Sequence, residues 1–166
     1  MNKKSNAWRV LIVLGCIVLG LVLVVAGFCF LFIKGSRGND FARYQGYGGT
    51  YRLEELPEGA QDFRYSNLRY SVGAQCCAAF TLNGDDYDNY VNSLNDVEMS
   101  PYGTGHDKVG KRVSEVGFPD YYTMGYVIDD DIDDYLIIYY DHANVFCAVL
   151  ANPDTGRIVV VSAASR

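Results

Sequence analysis

The residues most suggestive of chemistry form one acidic run, Asp129-Asp130-Asp131-Ile132-Asp133-Asp134. Asp129, Asp131 and Asp133 match the first, third and fifth ligand positions of an EF-hand loop, where alternate carboxylates converge on calcium. The match stops there. The sixth position is Asp134 where the turn needs glycine, and the twelfth is Tyr140 where a bidentate glutamate is needed. The run therefore reads as an acidic turn between two strands, with a weak, non-EF calcium site at Asp129, Asp131 and Asp133 as the alternative.

The other reactive types are sparse. Cys16 and Cys29 lie in an apolar stretch, and Cys76, Cys77 and Cys147 lie beyond it. No C-x-x-C pair occurs, so zinc ribbons and dithiol redox chemistry lose their usual support. Neighbouring strand residues point to opposite faces, so only one of Cys76 and Cys77, here Cys76, projects toward a core on one side. A Cys76–Cys147 bridge and a set of buried free thiols are both open at this point. His106 lies in a Gly- and Pro-containing loop, and His142 in the turn Asp141-His142-Ala143-Asn144. The nucleophile elbow, H-E-x-x-H and Walker patterns are absent, and Gly46-Tyr47-Gly48-Gly49 lacks the G-x-G-x-x-G spacing. No catalytic, cofactor or metal residue is assigned, no cofactor is expected, and the chain is read as a non-enzyme.

The elements that carry these residues follow from periodicity. Tyr70–Leu82 alternates as a strand, with Tyr70, Val72, Ala74, Cys76, Ala78, Phe80 and Leu82 on the inner face and Ser71, Gln75, Cys77 and Thr81 outward. Phe63–Arg69 is its hairpin partner. Asn83 is a helix N-cap, and Gly84–Asn95 is amphipathic through Tyr87, Tyr90, Val91 and Leu94. Asp85, Asp86 and Asp88 fall where the helix dipole favours negative charge. A weaker helix is expected over Lys108–Val116, ended by Gly117 and Pro119. Strands are expected at Tyr121–Ile128, Tyr135–Tyr140, Val145–Ala151 and Arg157–Ala163. The last two flank the turn Asn152-Pro153-Asp154-Thr155-Gly156. Such spacing suggests an antiparallel meander. Tyr135–Tyr140 and Val145–Leu150 are apolar on both faces. Their second face must meet another part of the chain or another molecule.

Ahead of all this stands Val10–Ile33, 24 residues without charge, amide or proline. As a helix it reaches about 36 Å, against a hydrocarbon core of about 30 Å. A signal peptide cleaved after Ala26 would leave Phe28–Ile33 exposed at the new terminus. A lipoprotein site at Cys16 has too few apolar residues before it. The expected fold class is α+β: one N-terminal transmembrane helix, then a small domain with a mainly antiparallel sheet covered by one or two helices. The expected organisation is a basic cytoplasmic tail (1–9), a transmembrane helix (10–33), a Gly-rich flexible tether (34–50) and an acidic extracytoplasmic domain (51–166). Lys3, Lys4 and Arg9 before the helix balance Lys34, Arg37 and Arg43 after it. The short tail and free amino group favour the N-terminus inside and the domain outside.

All 20 acidic residues lie at or after Asp40. Residues 51–166 hold 19 acids and 8 bases, a charge of −11 that repels phosphate backbones and anionic headgroups. Nucleic acid is excluded as a partner, and the bilayer is met through residues 10–33. The layout resembles that of many single-pass proteins of Gram-positive bacteria, a likeness that carries no residue roles. The expected function is a membrane-anchored, non-catalytic extracytoplasmic binding module whose partner is an envelope protein, a peptide or a glycan. One alternative is an accessory subunit of a larger membrane complex, docked through the Gly20/Gly27 helix face. The other is a metal-dependent envelope enzyme.

Overall fold

Runs of Val, Ile, Ala and Tyr between glycine-marked turns favour paired strands, and the chain builds one six-stranded sheet from them. The computed structural model describes residues 3–32, 34–46, 53–70, 73–95, 97, 101–119, 123–143 and 145–165. It divides into two compact units, Met1–Lys34 and Gly35–Arg166.

The first unit is the helix α1, Lys3–Phe32. Ile12, Val13, Leu14, Ile17, Val18, Leu19 and Leu21 to Val25 are all exposed. These positions lie on every side of the helix, so no single face is reserved for a core. Among the described residues no helix is long and apolar enough to cross a membrane. The α1 side chains are described at Trp8 and continuously from 12 to 27. That stretch reaches about 24 Å. The transmembrane helix of the sequence reading is thus not shown by the structure.

In the second unit the strands are β1 (Lys34–Gly38), β2 (Gln61–Tyr70), β3 (Gly73–Thr81), β4 (Leu136–His142), β5 (Val145–Asn152) and β6 (Arg157–Ser165). Their order is β1-β2-β3-β6-β5-β4, with antiparallel pairing from β2 through to β4. This is α+β, as expected. The order departs from a simple meander because β6 returns to the middle and lies against β3.

Both faces of the sheet are filled by the chain itself. On one face α3 (Asp85–Asn95) packs its Tyr90, Val91 and Leu94 over Phe80, Val149 and Val160. Phe80 and Tyr90 meet edge to face at 5.5 Å. On the other face Val113, Met124, Val127 and Tyr135 cover Ala79, Ala148, Leu150, Val159 and Val161. A register shift between Ile137 and Tyr139 sends Ile137 to the second face and Tyr139 to the first. This explains the two-sided apolar pattern of β4 and β5 without an outside partner. It also corrects the reading of β3, because outward-assigned Cys77 is fully buried in the second core.

Three further expectations change. Residues 34–46 are not the tether their glycine content suggests: β1 joins the sheet, and α2 (Phe41–Gly46) follows it. The Arg43 amide donates to the Asp40 carboxylate, fixing the start of α2. Phe41 and Tyr44, one helical turn apart, reach the same core, where Tyr44 is wholly buried against Phe63 and Tyr65. Residues 47–50 of the expected tether lie outside the described residues. The Lys108–Val116 helix is broken into a 3-10 turn at His106–Lys108 and a single helical turn, α4 (Val113–Val116). Gly110 at φ +81° interrupts it. Where a strand was expected over Tyr121–Ile128, Met124–Tyr126 is a 3-10 turn that folds Met124 and Val127 inward; Tyr121 and Tyr122 are outside the described residues.

The break at Gly110 frees residues 104–113 to strap the open edge of β4. The amides of Thr104, Gly110 and Val113 donate to the carbonyls of His142, Ile137 and Tyr135, and the Ile137 amide donates to Lys111. An edge strand covered this way is closed to further strand addition.

Gly156 and Gly110 separate two costs of replacing glycine. Gly156 sits at φ +69°, and a Cβ there would meet the Leu82 carbonyl oxygen. Gly110 has a similar φ but open space around it. Gly110→Ala is expected to cost about 1 kcal/mol, and Gly156→Ala about 3 kcal/mol. Urea unfolding of the two variants checks the order, and equal midpoints would refute it.

Candidate functional site

The acidic run does not converge. Asp129 accepts from Arg64 Nη1 at 2.6 Å. Asp130 accepts from Tyr135 Oη at 2.7 Å and from Asn152 Nδ2 at 3.0 Å. Asp131 accepts from the Asp133 amide at 3.1 Å and so caps the 3-10 turn Ile132–Asp134. Asp134 lies 4.0 Å from Arg112. Asp129 and Asp131 thus have separate structural tasks, and Asp133 contributes its backbone to the turn. Among the described residues no group of three His, Cys, Asp or Glu side chains is placed to hold a metal.

One of these tasks leads to a cleft. Arg157 opens β6 and turns its guanidinium into the end of the second core, with 8% of its side chain exposed. Nη1 donates to the Asp62 carbonyl and carboxylate at 3.0 Å each and to Thr81 Oγ1 at 3.1 Å, while Nη2 donates to the Val127 carbonyl at 3.0 Å. Asp62 can offer both oxygens to one nitrogen because its backbone is left-handed, at φ +50°. It is the one non-glycine residue with positive φ among those described. A register shift between Gln61 and Arg64 marks the same point in β2. Strain of this kind persists where surrounding contacts over-determine it, and it clusters at functional sites.

The other side of Asp62 faces the cleft. Arg64 Nε and Nη2 donate to the two Asp62 carboxylate oxygens at 3.3 and 3.2 Å. The paired carboxylates, with Asp129 first, hold the Arg64 guanidinium above its ordinary pKa. Gly38, Asn39, Asp62, Phe63, Arg64 and Tyr126 line an open cleft of about 460 Å³. Arg37 lies 5.0 Å over the Tyr126 ring, a cation–π contact. Sequence reading missed every one of these except Asp129. The only available signal was the oddity of a charged residue, Arg157, opening an otherwise apolar strand.

A second polar feature crosses the first face of the sheet. Asn67, Cys76, Ser162, Cys147 and Asp141 stand directly opposite one another on successive strands from β2 to β4. All five are buried. Around its far end Tyr139 Oη donates to Asp141 at 3.3 Å, and His106 Nε2 lies 3.8 Å from the same carboxylate. Gly103 is pressed so close to both that a Cβ would overlap them. The hydroxyl of Tyr90, Nε2 of His106 and Oδ1 of Asn67 are buried without a hydrogen-bond partner among the described residues. The two histidines do not share a site, for His142 lies on the opposite face of β4 against Phe146.

This register settles the cysteine question. Cys76 and Cys147 both pair with Ser162, so their strands are two spacings apart, about 9.5 Å. A disulfide needs Cα atoms within about 7 Å. Cys76, Cys77 and Cys147 are all buried, and none of them is in a disulfide. Burial pushes Cys76 up to about 12 and Cys77 well above the thiol range. Neither supplies a thiolate at neutral pH, which removes the usual form of a cysteine nucleophile.

These raised values carry a pH signature. Burial also lifts Tyr90 to about 12. The unfolded chain releases these protons at its ordinary pKa, while the folded chain keeps them to about 12. Between those limits the folded state binds more protons, so stability falls as pH rises. Unfolding free energy is expected to drop steeply above about pH 9, and Cys76→Ala is expected to flatten the first part of that slope. Urea titrations at a series of alkaline pH values check this, and an unchanged slope in the variant would refute the assignment to Cys76.

No family model matches the chain, and neither a curated protein nor a solved structure matches it.

Proposed function

We propose that this chain is a membrane-anchored, non-catalytic binding module, held by residues 10–33 and presenting its acidic α+β domain outside the cytoplasmic membrane. The observation that carries the anchor is the apolar surface of α1. Large aliphatic side chains from Ile12 to Val25 are half or more exposed on all sides of the helix. At about 25 cal/mol per Å² such a surface is costly to leave in water. The sequence continues the same character from Val10 to Ile33, 24 residues, enough to cross a bilayer with some tilt.

The two-sided apolar strands that first suggested a partner no longer support binding, and what supports it is the domain's polar surface. Both faces of the sheet are covered from within, and the large hydrophobic side chains the domain exposes among its described residues are Tyr102 and Tyr126. Tyr126 lines the polar cleft over Arg64. An open cleft with converging charged groups on rigid strands is suited to recognition. The net charge of −11 over residues 51–166 disfavours nucleic acid and anionic lipid headgroups as partners. An envelope protein, a peptide or a glycan remains the partner class.

Fractionation of cells expressing the full chain tests the anchor. The protein is expected in the membrane pellet, resistant to alkaline carbonate and released by detergent. External protease on intact protoplasts is expected to remove the domain and spare the tail. Intact protein in the detergent-free supernatant would overturn the anchor, and protection of the domain would overturn the orientation.

A further inference from the structure

We propose that β1 is a docking edge that takes up an extended, uncharged peptide segment of a partner protein as one further strand. This deepens the reading of the domain as a binding module and rests on it.

A sheet has two outer edges, and this chain treats them differently. At β4 the strap over residues 104–113 meets the edge amides and carbonyls. At the other end β1 has β2 as its one strand neighbour among the described residues. No described loop hydrogen-bonds through its backbone to Gly35, Ser36 or Gly38. Gly35 and Arg37 are exposed, and Ser36 and Gly38 are half-buried. The outward N–H and C=O groups of such a strand are a template for another extended backbone. β1 runs for five residues, about 17 Å, and so offers a ladder to a segment of similar length.

The side chains of this edge suit close approach. Gly35, Ser36 and Gly38 are all small, and glycine within a strand marks a place where a second backbone comes near. A Cβ at Gly35 would sit 3.6 Å from the Asn67 carbonyl and the Leu68 side chain, an ordinary contact, so the fold itself does not demand glycine there. Two clefts run end to end along the strand. Gly38 and Asn39 wall the cleft over Arg64, of about 460 Å³. Gly35, Ser36 and Arg37 wall a second one of about 420 Å³, together with Ser66, Asn67 and Leu68. Asn67 is 5% exposed, and its Oδ1 meets no hydrogen-bond partner among the described residues. That wall holds hydrogen-bonding capacity which the chain itself leaves unused. In strand addition the backbone ladder supplies the affinity, and flanking pockets take alternate side chains.

Charge selects the occupant. The −11 of residues 51–166 opposes an acidic segment, while Arg37 and Arg64 on the cleft walls oppose a basic one. A second copy of the chain is disfavoured twice. It brings another −11, and it sets a like strand, with its own Lys34 and Arg37, against the first.

The test uses the full chain in nonionic micelles. The probe is the acetylated, amidated pentapeptide Thr-Val-Thr-Val-Thr, and the readouts are backbone amide shifts and amide hydrogen exchange. Saturable shifts at Gly35, Ser36 and Gly38 are expected, with a Kd on the order of 1 mM and slowed exchange along β1. The same peptide N-methylated at every amide keeps its side chains and loses its backbone donors. It is expected to bind at least about tenfold more weakly. No saturable shift on β1 at about 10 mM peptide would overturn the proposal. So would equal binding of the methylated peptide, or shifts confined to β4. Protection of β1 that rises with protein concentration in the absence of peptide would assign the edge to a second copy. Shifts on β1 with chitotetraose and none with the peptide would assign it to a glycan. Either result overturns the proposal. Failure here with the protein still carbonate-resistant in the pellet would leave the anchored module standing with another ligand.

Discussion

The domain is closed at one end by a single buried cation. Arg157 begins β6, and its guanidinium gathers a carbonyl and a carboxylate from β2, a hydroxyl from β3 and a carbonyl from the segment leading out of the second core. A guanidinium taken out of water is tolerated only when its donors are met. That requirement dictates the local backbone. Asp62 must present two oxygens to one nitrogen, so it takes a left-handed conformation, and β2 shifts register there. The shift leaves Arg64 on the rim, where Asp62 and Asp129 hold it. The cleft is therefore a by-product of how the sheet end is sealed, and its polar groups inherit their rigidity from the core.

The same sheet shows why apolar character is a poor guide to partners here. β4 and β5 are greasy on both sides because two separate cores need them: α3 and α2 on one face, and Val113, Met124, Val127 and Tyr135 on the other. The strap along β4 closes the sheet edge at that side. Among the described residues, what the domain leaves for other molecules beside Tyr102 and Tyr126 is charge and hydrogen bonding. This shifts recognition toward polar ligands whose affinity is modest and whose specificity comes from geometry.

Legibility in the sequence followed the strength of local signals. The α3 helix and the β5–β6 hairpin were readable because periodicity and turn chemistry each sufficed alone: an apolar stripe with acids in the first turn, and an Asn-Pro-Asp-Thr-Gly loop. β1 and α2 were hidden because their contribution is two aromatics, Phe41 and Tyr44, inside a glycine-rich stretch that otherwise resembles a linker. Burial of Cys77 could not be seen from alternation, since a strand covered on both faces has no outward side. The acidic run attracted a metal reading because composition shows carboxylates and conceals their directions. In the fold four of its five carboxylates meet separate groups. Arg157, on which the cleft depends, leaves almost no local trace, because its partners lie 30 to 95 residues away.

The two units of the chain divide the physical work between them. α1 exposes aliphatic side chains and little else, whereas residues 51–166 carry 19 acids. A surface of that charge is strongly hydrated and has no basic cluster for anionic headgroups. On the proposed reading, contact with the bilayer is left to the helix, and the domain is repelled from the headgroups even while it is bound to the membrane. A ligand that is itself net neutral approaches such a domain without the long-range barrier that an anion would meet. On the same reading, the acidity of the domain does more than aid solubility, because it disfavours the approach of anions.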